Sequence, residues 1–452
     1  MFHQPHYLMT EKRYVLVGTG ARAANFIRPL VERFRDQAVL TGLCDLSPTR
    51  ITYYNAMLAK MGHPAVAAYR ADQFGQMLDE QRPDVVIVTT KDSTHADYIV
   101  RALYHGCDVI TEKPMTIDAG KCRAIFDAVA QTGRKVQVTF NVRWSAHRTK
   151  VRELIAAGTI GRVASVHVDY LLNTDHGADY YRRWHATMAD SGGLLLHKST
   201  HHFDLINWWI DAIPEQVFAF GRLDFYGKRA ALARGDRALT AYARYTGEPA
   251  ANADPFALDL RQNESFKALY LGAEAETGYL RDRNVFREDI DIYDNMSVVV
   301  RYRTGAQLNY SLLSFSSREG MRVAINGDRG RIEYTQLQPT HIPQNGSLAS
   351  PRAPEDQEIE SIRVFPLFKP SYEVQVEKLA GEHDGSDYLL AEQLFSRTAP
   401  KDPFGRKAGH EQGAASILIG VAANESIAQN RPVNLADLVP LKRGAKLLSE
   451  LV

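Results

Sequence analysis

The sequence predicts an α/β protein built from a doubly wound parallel sheet in residues 1–145 and an α/β domain with a large, mostly antiparallel, open sheet in residues 146–452. Two observations carry this expectation. From residue 13, short β-branched runs alternate with amphipathic helical stretches, which is the pattern of a parallel sheet covered by helices. Past residue 145, strands with period-two alternation recur, as in antiparallel sheets. We expect a C-terminal helix to pack back on the first domain.

Composition and charge narrow the classes of partner. The chain has 452 residues, of which 45% are hydrophobic and 24% charged, as in ordinary globular proteins. Lys and Arg total 54 against 53 for Asp and Glu, so the formal net charge of +1 gives no reason to expect nucleic acid or an anionic membrane as a partner. The charge balance says nothing about a small-molecule substrate.

The cysteines and the first residues favour a cytoplasmic protein. Cys44, Cys107 and Cys122 are odd in number and lie in predicted strands or helices, which argues against a disulfide framework and suits a reducing compartment. Residues 1–12 lack the apolar core of a signal peptide, and no apolar run approaches membrane-spanning length.

The first domain is predicted from its strands and helix starts. Ser47-Pro48 is a helix cap followed by proline at the first helical position, and Asp92-Ser93 marks a second helix start. Right-handed crossovers are expected between the strands. Because the strands are parallel, their carboxyl ends lie at one edge of the sheet, where open α/β sheets bind ligands. The parallel strands are predicted at residues 15–17, 39–44, 85–89, 109–111 and 136–139.

A glycine turn after the first strand indicates dinucleotide binding. In Gly18-x-Gly20-x-x-Ala23, the first glycine permits a tight turn, the second lets a pyrophosphate approach the backbone, and the small Ala23 allows close helix packing. The phosphate would lie at the helix amino terminus. Most glycine-rich matches are simply turns, but a strand before and a helix after this one favour a nucleotide site.

Asp45, at the end of the second strand, favours NAD over NADP. Its carboxylate would accept hydrogen bonds from the adenine-ribose hydroxyls and repel a 2′-phosphate. An alternative is that Asp45 only caps the helix at Ser47. Arg22 and Arg50 keep NADP open as the less favoured cofactor, because either guanidinium could reach a phosphate.

Lys113 follows the apolar run 107–110 and therefore lies at the ligand-binding edge of the predicted sheet. Taken with the glycine turn, the sequence around it resembles the Gfo/Idh/MocA family, which comprises glucose-fructose oxidoreductase, inositol dehydrogenase and rhizopine-catabolism proteins. The motifs that carry the resemblance are, in chain order, Gly18-x-Gly20-x-x-Ala23, Asp45, Glu112-Lys113-Pro114 and Asn141-x-Arg143.

The resemblance implies a Rossmann domain followed by an α/β domain whose sheet covers the nicotinamide. It places Lys113 near the nicotinamide and the reacting hydroxyl, where an ammonium can stabilise a developing alkoxide. Without the resemblance, a surface lysine in a loop would be an equal alternative. Further cofactor contacts are expected at Thr90, His95, Glu112 and Asn141, and substrate contact at Arg143.

In the second domain, a helix at 146–157 ended by Gly158 and a strand at 163–172 precede a polar and aromatic stretch, residues 174–185. Sugar sites need such groups, since flat rings pack on C–H faces while charged and amide groups fix hydroxyls. Tyr180, Arg183 and His185 are therefore substrate-binding candidates. The alternative is a polar loop with a few buried aromatic residues.

In residues 191–209, a glycine turn leads into a predicted amphipathic helix that carries two histidines. His197 and His201 are four residues apart and so share one helix face. The resemblance implies an acid at position 197, a histidine at 201 and an aspartate at 204; His201 and Asp204 match this pattern, and His197 does not.

His201 is the expected base for the hydroxyl proton, because an imidazole titrates near neutrality. His197 is expected to join the catalytic and substrate-binding groups, although a histidine in place of the acid puts simple alcohol oxidation in doubt. A zinc site formed with His202 is a lesser alternative, since Lys198 stands where His-Glu-x-x-His hydrolases need glutamate. No metal is expected.

The rest of the chain fits an antiparallel sheet with additions. Asn326-Gly327 is predicted as a turn. Residues 224–291 and 336–370 look like insertions that form a lid or a subunit contact, or simply a solvated face. His383 is a substrate-binding candidate by resemblance to larger family members, and Asp387 is either a second one or a helix cap. Strands are predicted at 217–220, 296–302, 307–314, 321–326 and 330–334, and a long helix at 409–429.

The leading hypothesis is an NAD-dependent oxidoreductase that moves hydride between nicotinamide and a carbon of a sugar, cyclitol or derivative. A related alternative is an NAD-dependent glycoside hydrolase that oxidises the sugar transiently, eliminates the aglycone, adds water and reduces the product again. A non-catalytic sugar or dinucleotide sensor is a third, since a fold does not guarantee chemistry. The resemblance also implies a homodimer or homotetramer formed through the open sheet face.

Overall fold

The computed structural model describes residues 11–338, 358–377 and 385–451, and these contain two sheets. The first sheet has seven strands in the order β15-β6-β5-β4-β1-β2-β3. Strands β1 to β6 are parallel, and β15 adds an antiparallel edge to β6. The strands are β1 (Lys12–Val17), β2 (Ala38–Asp45), β3 (Ala67–Arg70), β4 (Val85–Val88), β5 (Asp108–Thr111), β6 (Val136–Val138) and β15 (Ala408–Gly409).

The predicted doubly wound sheet is confirmed, but its two edge strands, β3 and β15, were missed. The edge strand β3 has the sequence Ala-Ala-Tyr-Arg and buries only Tyr69, so it lacks the β-branched run that marks its neighbours. Edge strands need less burial than central ones, and sequence patterns therefore detect them poorly.

The second sheet has nine strands in the order β14-β13-β12-β11-β7-β10-β9-β8-β16. Among the described residues, all neighbouring pairs are antiparallel except β7 with β10. The predicted mostly antiparallel sheet is thus confirmed. Its strands are β7 (Val163–Asn173), β8 (Pro214–Arg222), β9 (Asn295–Tyr302), β10 (Gln307–Ser316), β11 (Gly320–Gly327), β12 (Gly330–Leu337), β13 (Ile359–Pro366), β14 (Tyr372–Val374) and β16 (Val433–Asn434).

Two predictions about this sheet were wrong. Asn326 and Gly327 end β11 instead of forming the turn, which falls at Asp328 and Arg329. A Cβ on Gly327 would lie 2.1 Å from the carbonyl oxygen of Ile160, so this glycine answers close packing. The supposed insertion 336–370 contributes strand β13 to the sheet, while its residues 339–357 lie outside the described residues.

The helices cover the sheets and carry the turns near the site. Ser47 Oγ accepts a hydrogen bond from the backbone N–H of Arg50 and so caps α2, as predicted. The helix expected after the glycine turn in residues 191–209 is divided into α9 and α10 at Lys198. The helices are α1 (Ala24–Glu32), α2 (Pro48–Lys60), α3 (Phe74–Gln81), α4 (His95–Tyr104), α5 (Ala119–Thr132), α6 (Ala146–Ala156), α7 (Thr174–Arg182), α8 (Met188–Ser191), α9 (Leu194–His197), α10 (Ser199–Trp209), α11 (Lys228–Arg234), α12 (Glu264–Leu269), α13 (Glu274–Thr277), α14 (Ser386–Phe395), α15 (His410–Gln429) and α16 (Leu435–Leu438).

The C-terminal part of the chain returns to the first sheet. The Phe395 ring of α14 packs edge-on against Tyr14 of β1, with centroids 5.4 Å apart. Strand β15 pairs with β6, and α15 begins directly after it. Helix α15 packs so closely that a Cβ on Gly420 would lie 2.4 Å from the carbonyl oxygen of Leu195. In the described residues, no helix has both the length and the apolar character needed to cross a bilayer.

Candidate active site

The glycine turn after β1 has the shape of a phosphate cradle. Gly18 has φ +95°, and a Cβ there would lie 2.6 Å from backbone atoms of Thr89. A Cβ on Gly20 would meet no heavy atom within 4 Å, so the backbone is open to a close approach by a ligand. Ala23 is fully buried at the start of α1. These features fit the pyrophosphate of a dinucleotide at the helix amino terminus.

Asp45 is held rigidly at the carboxyl end of β2. Its Oδ2 accepts a hydrogen bond from the backbone N–H of Thr19 at 2.6 Å, and its Oδ1 accepts one from that of Ser47 at 2.8 Å. The carboxylate therefore links the glycine turn to the start of α2, where an adenine ribose would lie.

The two arginines expected near the cofactor both have protein partners. Arg22 donates from Nε to Glu112 Oε1 at 2.6 Å. Arg50 donates from Nε to the carbonyl oxygen of Leu269 at 2.7 Å, and its Nη1 lies 3.7 Å from Asp45 Oδ1. Glu112 thus anchors Arg22 beside the glycine turn.

His95 and Asn141, both expected to contact the cofactor, make hydrogen bonds within the protein. His95 is 1% exposed, and its two ring nitrogens lie 2.8 Å from the carbonyl oxygen of Pro114 and 3.1 Å from that of Thr90. It ties together the loops that follow β4 and β5. The amide nitrogen of Asn141 donates to Asp387 Oδ1 at 2.9 Å, so these two side chains join the first domain to α14. The Thr90 hydroxyl accepts from Thr94 at 2.9 Å.

Lys113 lies at the centre of the site. Its ammonium donates to the backbone carbonyl of His197 at 3.0 Å and lies 3.5 Å from Nε2 of the same residue. Burial lowers the pKa of Lys113 to about 8, against the opposing charges of Asp92 and Glu112. The group is consequently an ammonium at neutral pH and loses its proton in mildly alkaline solution.

His197 is bonded to a carboxylate from the other domain. Its Nδ1 lies 2.5 Å from Oδ2 of Asp92, which is 3% exposed. Burial lowers the pKa of His197 well below the ordinary value, an effect that Lys113 reinforces. Because the Lys113 ammonium can only donate, Nε2 is assigned as the unprotonated nitrogen and Nδ1 as the one that carries hydrogen.

Sequence reasoning missed Asp92, which it treated only as a helix start. The available signal was chemical: the acid implied at position 197 is missing, and Asp92 follows β4 at the same sheet edge as Lys113. A search for a replacement carboxylate among the loops at that edge would have found it.

His201 and its neighbour have different surroundings. The His201 ring is half-buried, and its Nδ1 makes no hydrogen bond within the described residues. Burial and then the charge of Lys113 lower its pKa well below the ordinary value. His202 Nδ1 instead lies 2.8 Å from the Tyr310 hydroxyl. Across residues 11–338, 358–377 and 385–451, no three His, Cys, Asp or Glu side chains are grouped to hold a metal ion.

Aromatic rings from α7 and the turn after it surround His197. Ring centroids lie 4.0 Å from His197 for His185, 5.6 Å for Tyr180 and 5.9 Å for Trp184. Tyr180 lies in helix α7, which runs from Thr174 to Arg182, and Trp184 and His185 lie in the turn after it. We call these three rings the aromatic wall. The structure thus brings Tyr180 and His185 to the same imidazole as Lys113.

Arg183 and Arg143 differ sharply in their surroundings. The Arg183 side chain is 25% exposed and pairs with Asp179 at 3.2 Å. Arg143, expected to bind substrate, is fully buried and forms two hydrogen bonds with Asp204, at 2.6 and 2.7 Å. Its Nη1 is bonded to Gln412 and to a backbone carbonyl. The prediction that Arg143 binds substrate is therefore corrected: Arg143 is a structural residue paired with Asp204. His383 lies outside the described residues.

The first domain and the second match two parts of one protein family. Residues 12–140 match the description "Oxidoreductase family, NAD-binding Rossmann fold", and residues 152–435 match "Oxidoreductase family, C-terminal alpha/beta domain". The chain belongs to the Gfo/Idh/MocA oxidoreductase family. Membership of this family means that the chain is an NAD-binding oxidoreductase that acts on small molecules.

Relatives within the Gfo/Idh/MocA family differ in how much of the chain they match. A Bacillus subtilis (strain 168) protein named "Putative oxidoreductase YteT" is 36% identical over 445 residues, which cover 95% of this chain and 99% of the relative. Inositol 2-dehydrogenase of Rhizobium meliloti (strain 1021) is 33% identical over 136 residues, 30% of this chain and 39% of the relative. Similarity to the inositol dehydrogenase is thus confined to a part of each chain.

Solved structures share the fold at low sequence identity. Aldose-aldose oxidoreductase from Caulobacter crescentus, complexed with glycerol, has a TM-score of 0.59 and 18% identity, covering 94% of this chain and 100% of that one. The WlbA dehydrogenase from Bordetella pertussis, in complex with NADH and UDP-GlcNAcA, has a TM-score of 0.61 and 17% identity, covering 94% and 99%. At these identities the likeness establishes the architecture alone.

Proposed function

We propose that this protein is an NAD-dependent oxidoreductase that transfers hydride between nicotinamide and a hydroxyl-bearing carbon of a sugar, cyclitol or sugar derivative. The observation that carries the proposal is the placement of the Lys113 ammonium against His197, at the same sheet edge as the glycine turn and Asp45. The partial match to inositol 2-dehydrogenases supports a polyhydroxylated substrate.

The residues present fit a dinucleotide. Gly20 leaves the backbone open to a pyrophosphate, and Asp45 presents a fixed carboxylate to a ribose. When bound, the nicotinamide supplies the acceptor or donor of two electrons and a hydrogen. Lys113, His197 and His201 then act on the substrate oxygen and its proton.

Lys113 donates a hydrogen bond to the reacting oxygen. Its ammonium stabilises the negative charge that develops there as the C–H bond breaks, and its partial burial strengthens this stabilisation. Since its pKa is about 8, Lys113 keeps its proton at neutral pH while holding it loosely enough to exchange with a neighbouring base.

His201 takes the hydroxyl proton. Its lowered pKa keeps the imidazole neutral and able to accept a proton throughout the neutral range. The Asp92–His197 pair replaces the acid that the family pattern has at position 197. The Asp92 carboxylate, which belongs to the first domain, holds the His197 imidazole in the orientation in which its Nε2 faces Lys113.

The aromatic wall provides a surface for the substrate. Tyr180, Trp184 and His185 present rings around His197, and such rings pack on the C–H face of a sugar. Arg183 adds donors for hydroxyl or anionic groups beside this wall. These contacts would hold the reacting carbon within reach of Lys113.

One assay tests the function. Purified protein is incubated with sugars, inositols and aryl glycosides, with and without added NAD, while cofactor reduction and aglycone release are followed together. Reduction that requires Lys113 is the expected result. Aglycone release without net reduction of NAD would instead indicate redox-neutral glycoside cleavage, and the proposed hydride transfer to free NAD would be wrong. If NAD binds but neither cofactor reduction nor aglycone release is detected, the result would contradict catalysis and favour a sensor.

A further inference from the structure

A segment of the second domain packs against the first domain beside Asp45. We name residues 260–279, which lie within the predicted insertion 224–291, the cover segment. Its Leu260, Leu269 and Tyr270 are buried in the same apolar cluster as Ile51 and Tyr54 of α2. The Tyr270 hydroxyl accepts a hydrogen bond from the backbone N–H of Ala21 in the glycine turn at 3.3 Å. The cover segment is therefore a built part of the cofactor edge.

Glu276 of the cover segment is bound at the amino terminus of α2. One carboxylate oxygen accepts from the Thr49 hydroxyl at 2.6 Å, and the other accepts from the Ser47 hydroxyl and from the Thr49 backbone N–H at 3.3 Å. The hydrogen bonds from Ser47 and Thr49 lower the pKa of Glu276, which keeps it anionic. A negative charge thus occupies a ready-made anion site.

This anion site adjoins the ribose carboxylate. Asp45 accepts from the backbone N–H of Ser47, and the Ser47 hydroxyl donates to Glu276, so one residue joins the two carboxylates. In a dinucleotide fold the 2′-position of the adenine ribose faces the residues that follow β2. The hydroxyls and helix terminus that would suit a 2′-phosphate are already bonded to a carboxylate of the chain itself.

Arg50 is the cation that opposes this effect. Its Nε is taken by Leu269, its Nη1 lies 3.7 Å from Asp45, and its guanidinium lies 5.5 Å from the Tyr270 ring centroid. Of the Arg50 nitrogens, only Nη2 is both buried and without a hydrogen-bond partner in the described residues. One arginine facing Asp45 and Glu276 leaves a net negative charge, which disfavours a dianionic phosphate.

We propose that Glu276 is a specificity residue that excludes the 2′-phosphate and makes the enzyme select NAD over NADP. The inference rests on the proposed dinucleotide-dependent function and adds a determinant from the second domain to Asp45 in the first. The specificity arises because the negative charge of Glu276 disfavours the 2′-phosphate, which NADP carries and NAD lacks.

The test is the binding of the two oxidised cofactors to the full chain by calorimetry. The variants are Glu276→Gln, Glu276→Ala and the control Glu274→Gln, which removes a charge from the same helix at a side chain bonded to Arg244. The unmodified protein should bind NAD at least ~100-fold more tightly than NADP. Both Glu276 variants should tighten NADP about tenfold and change NAD less than about threefold, while Glu274→Gln leaves the ratio unchanged.

Two results would overturn the inference alone: equal affinities of the unmodified protein for NAD and NADP, or Glu276 variants that shift both affinities together. Melting temperatures establish that each variant is folded. Failure of the unmodified protein to bind either dinucleotide would overturn the proposed function itself, and the role of Glu276 with it.

Discussion

His197 and Asp92 form a hydrogen-bonded pair across the two domains, with Nδ1 of the imidazole 2.5 Å from Oδ2 of the carboxylate. The pair faces the Lys113 ammonium through Nε2. Each domain therefore contributes part of one hydrogen-bonded chain, and the chain ends at the group proposed to touch the reacting oxygen.

Asp92→Asn should lower kcat about 10- to 100-fold, because the amide no longer fixes the tautomer and orientation of His197. The Kd for NAD should stay within about threefold. Asp190→Asn is the matched control, since Asp190 pairs with Lys91, the residue before Asp92, and is partly exposed. Steady-state kinetics and calorimetry make the comparison. An equal effect of the two substitutions would deny Asp92 a positioning role.

Lys113→Ala should reduce kcat by at least about 10²- to 10³-fold, since the developing oxyanion loses the ammonium that stabilises it. Dinucleotide affinity should be nearly unchanged, because the glycine turn and Asp45 are intact. Rates and Kd are measured on the same preparation. A parallel loss of binding and turnover would mean that Lys113 mainly holds the cofactor.

The pH profile of substrate oxidation should fall above about pH 8, because Lys113 loses its proton there. Asp92 and Glu112 hold the proton on, and Lys198 and Arg22 oppose them. No acidic limb is expected above about pH 6.5, since the pKa of His201 lies well below its ordinary value. In Lys113→Arg, any residual activity should lack the alkaline limb. An unchanged limb in that variant would assign it to another group.

Arg143→Met should destabilise the protein by about 3–5 kcal/mol, because Asp204 is left as an unpaired buried carboxylate. The double variant Arg143→Met with Asp204→Leu should recover part of that loss. Denaturant unfolding gives the free energies. A raised KM without loss of stability would restore the original prediction that Arg143 binds substrate.

Phe220→Asp should dissociate the expected homodimer or homotetramer. Phe220 is 61% exposed and lines a groove of about 580 Å³ on the open face of the second sheet, together with Val299. A charge on that apolar face opposes its burial against a second copy. Light scattering compares this variant with Phe368→Asp, which is exposed but lies outside the groove. A monomeric unmodified protein would contradict the expectation.

The sequence pattern predicted those parts of the fold that depend on local composition. The buried runs of β1, β2 and β4 are rich in valine and leucine and were recognisable, whereas the edge strand β3 buries one side chain and was not. Residue patterns along a strand reflect how much of it is buried, so weakly buried elements give weak signals.

The site was predictable only where one motif carried the chemistry. Lys113 and the glycine turn are local, and the structure places them at one sheet edge. The pairing of Arg143 with Asp204 spans 61 residues, and that of Asp92 with His197 spans 105. Such contacts depend on how two domains meet, which no periodicity along the chain records. Glu276 was hidden for the same reason.

Strand β15 gives the first sheet an edge taken from residues 408–409, nearly 270 positions after its neighbour β6. A fragment that stops at residue 145 would expose the unpaired backbone of β6, a surface on which other chains can add. The nucleotide-binding domain is consequently continuous in space but not along the chain, and cutting the protein at that point should yield a fragment that aggregates instead of a functional domain.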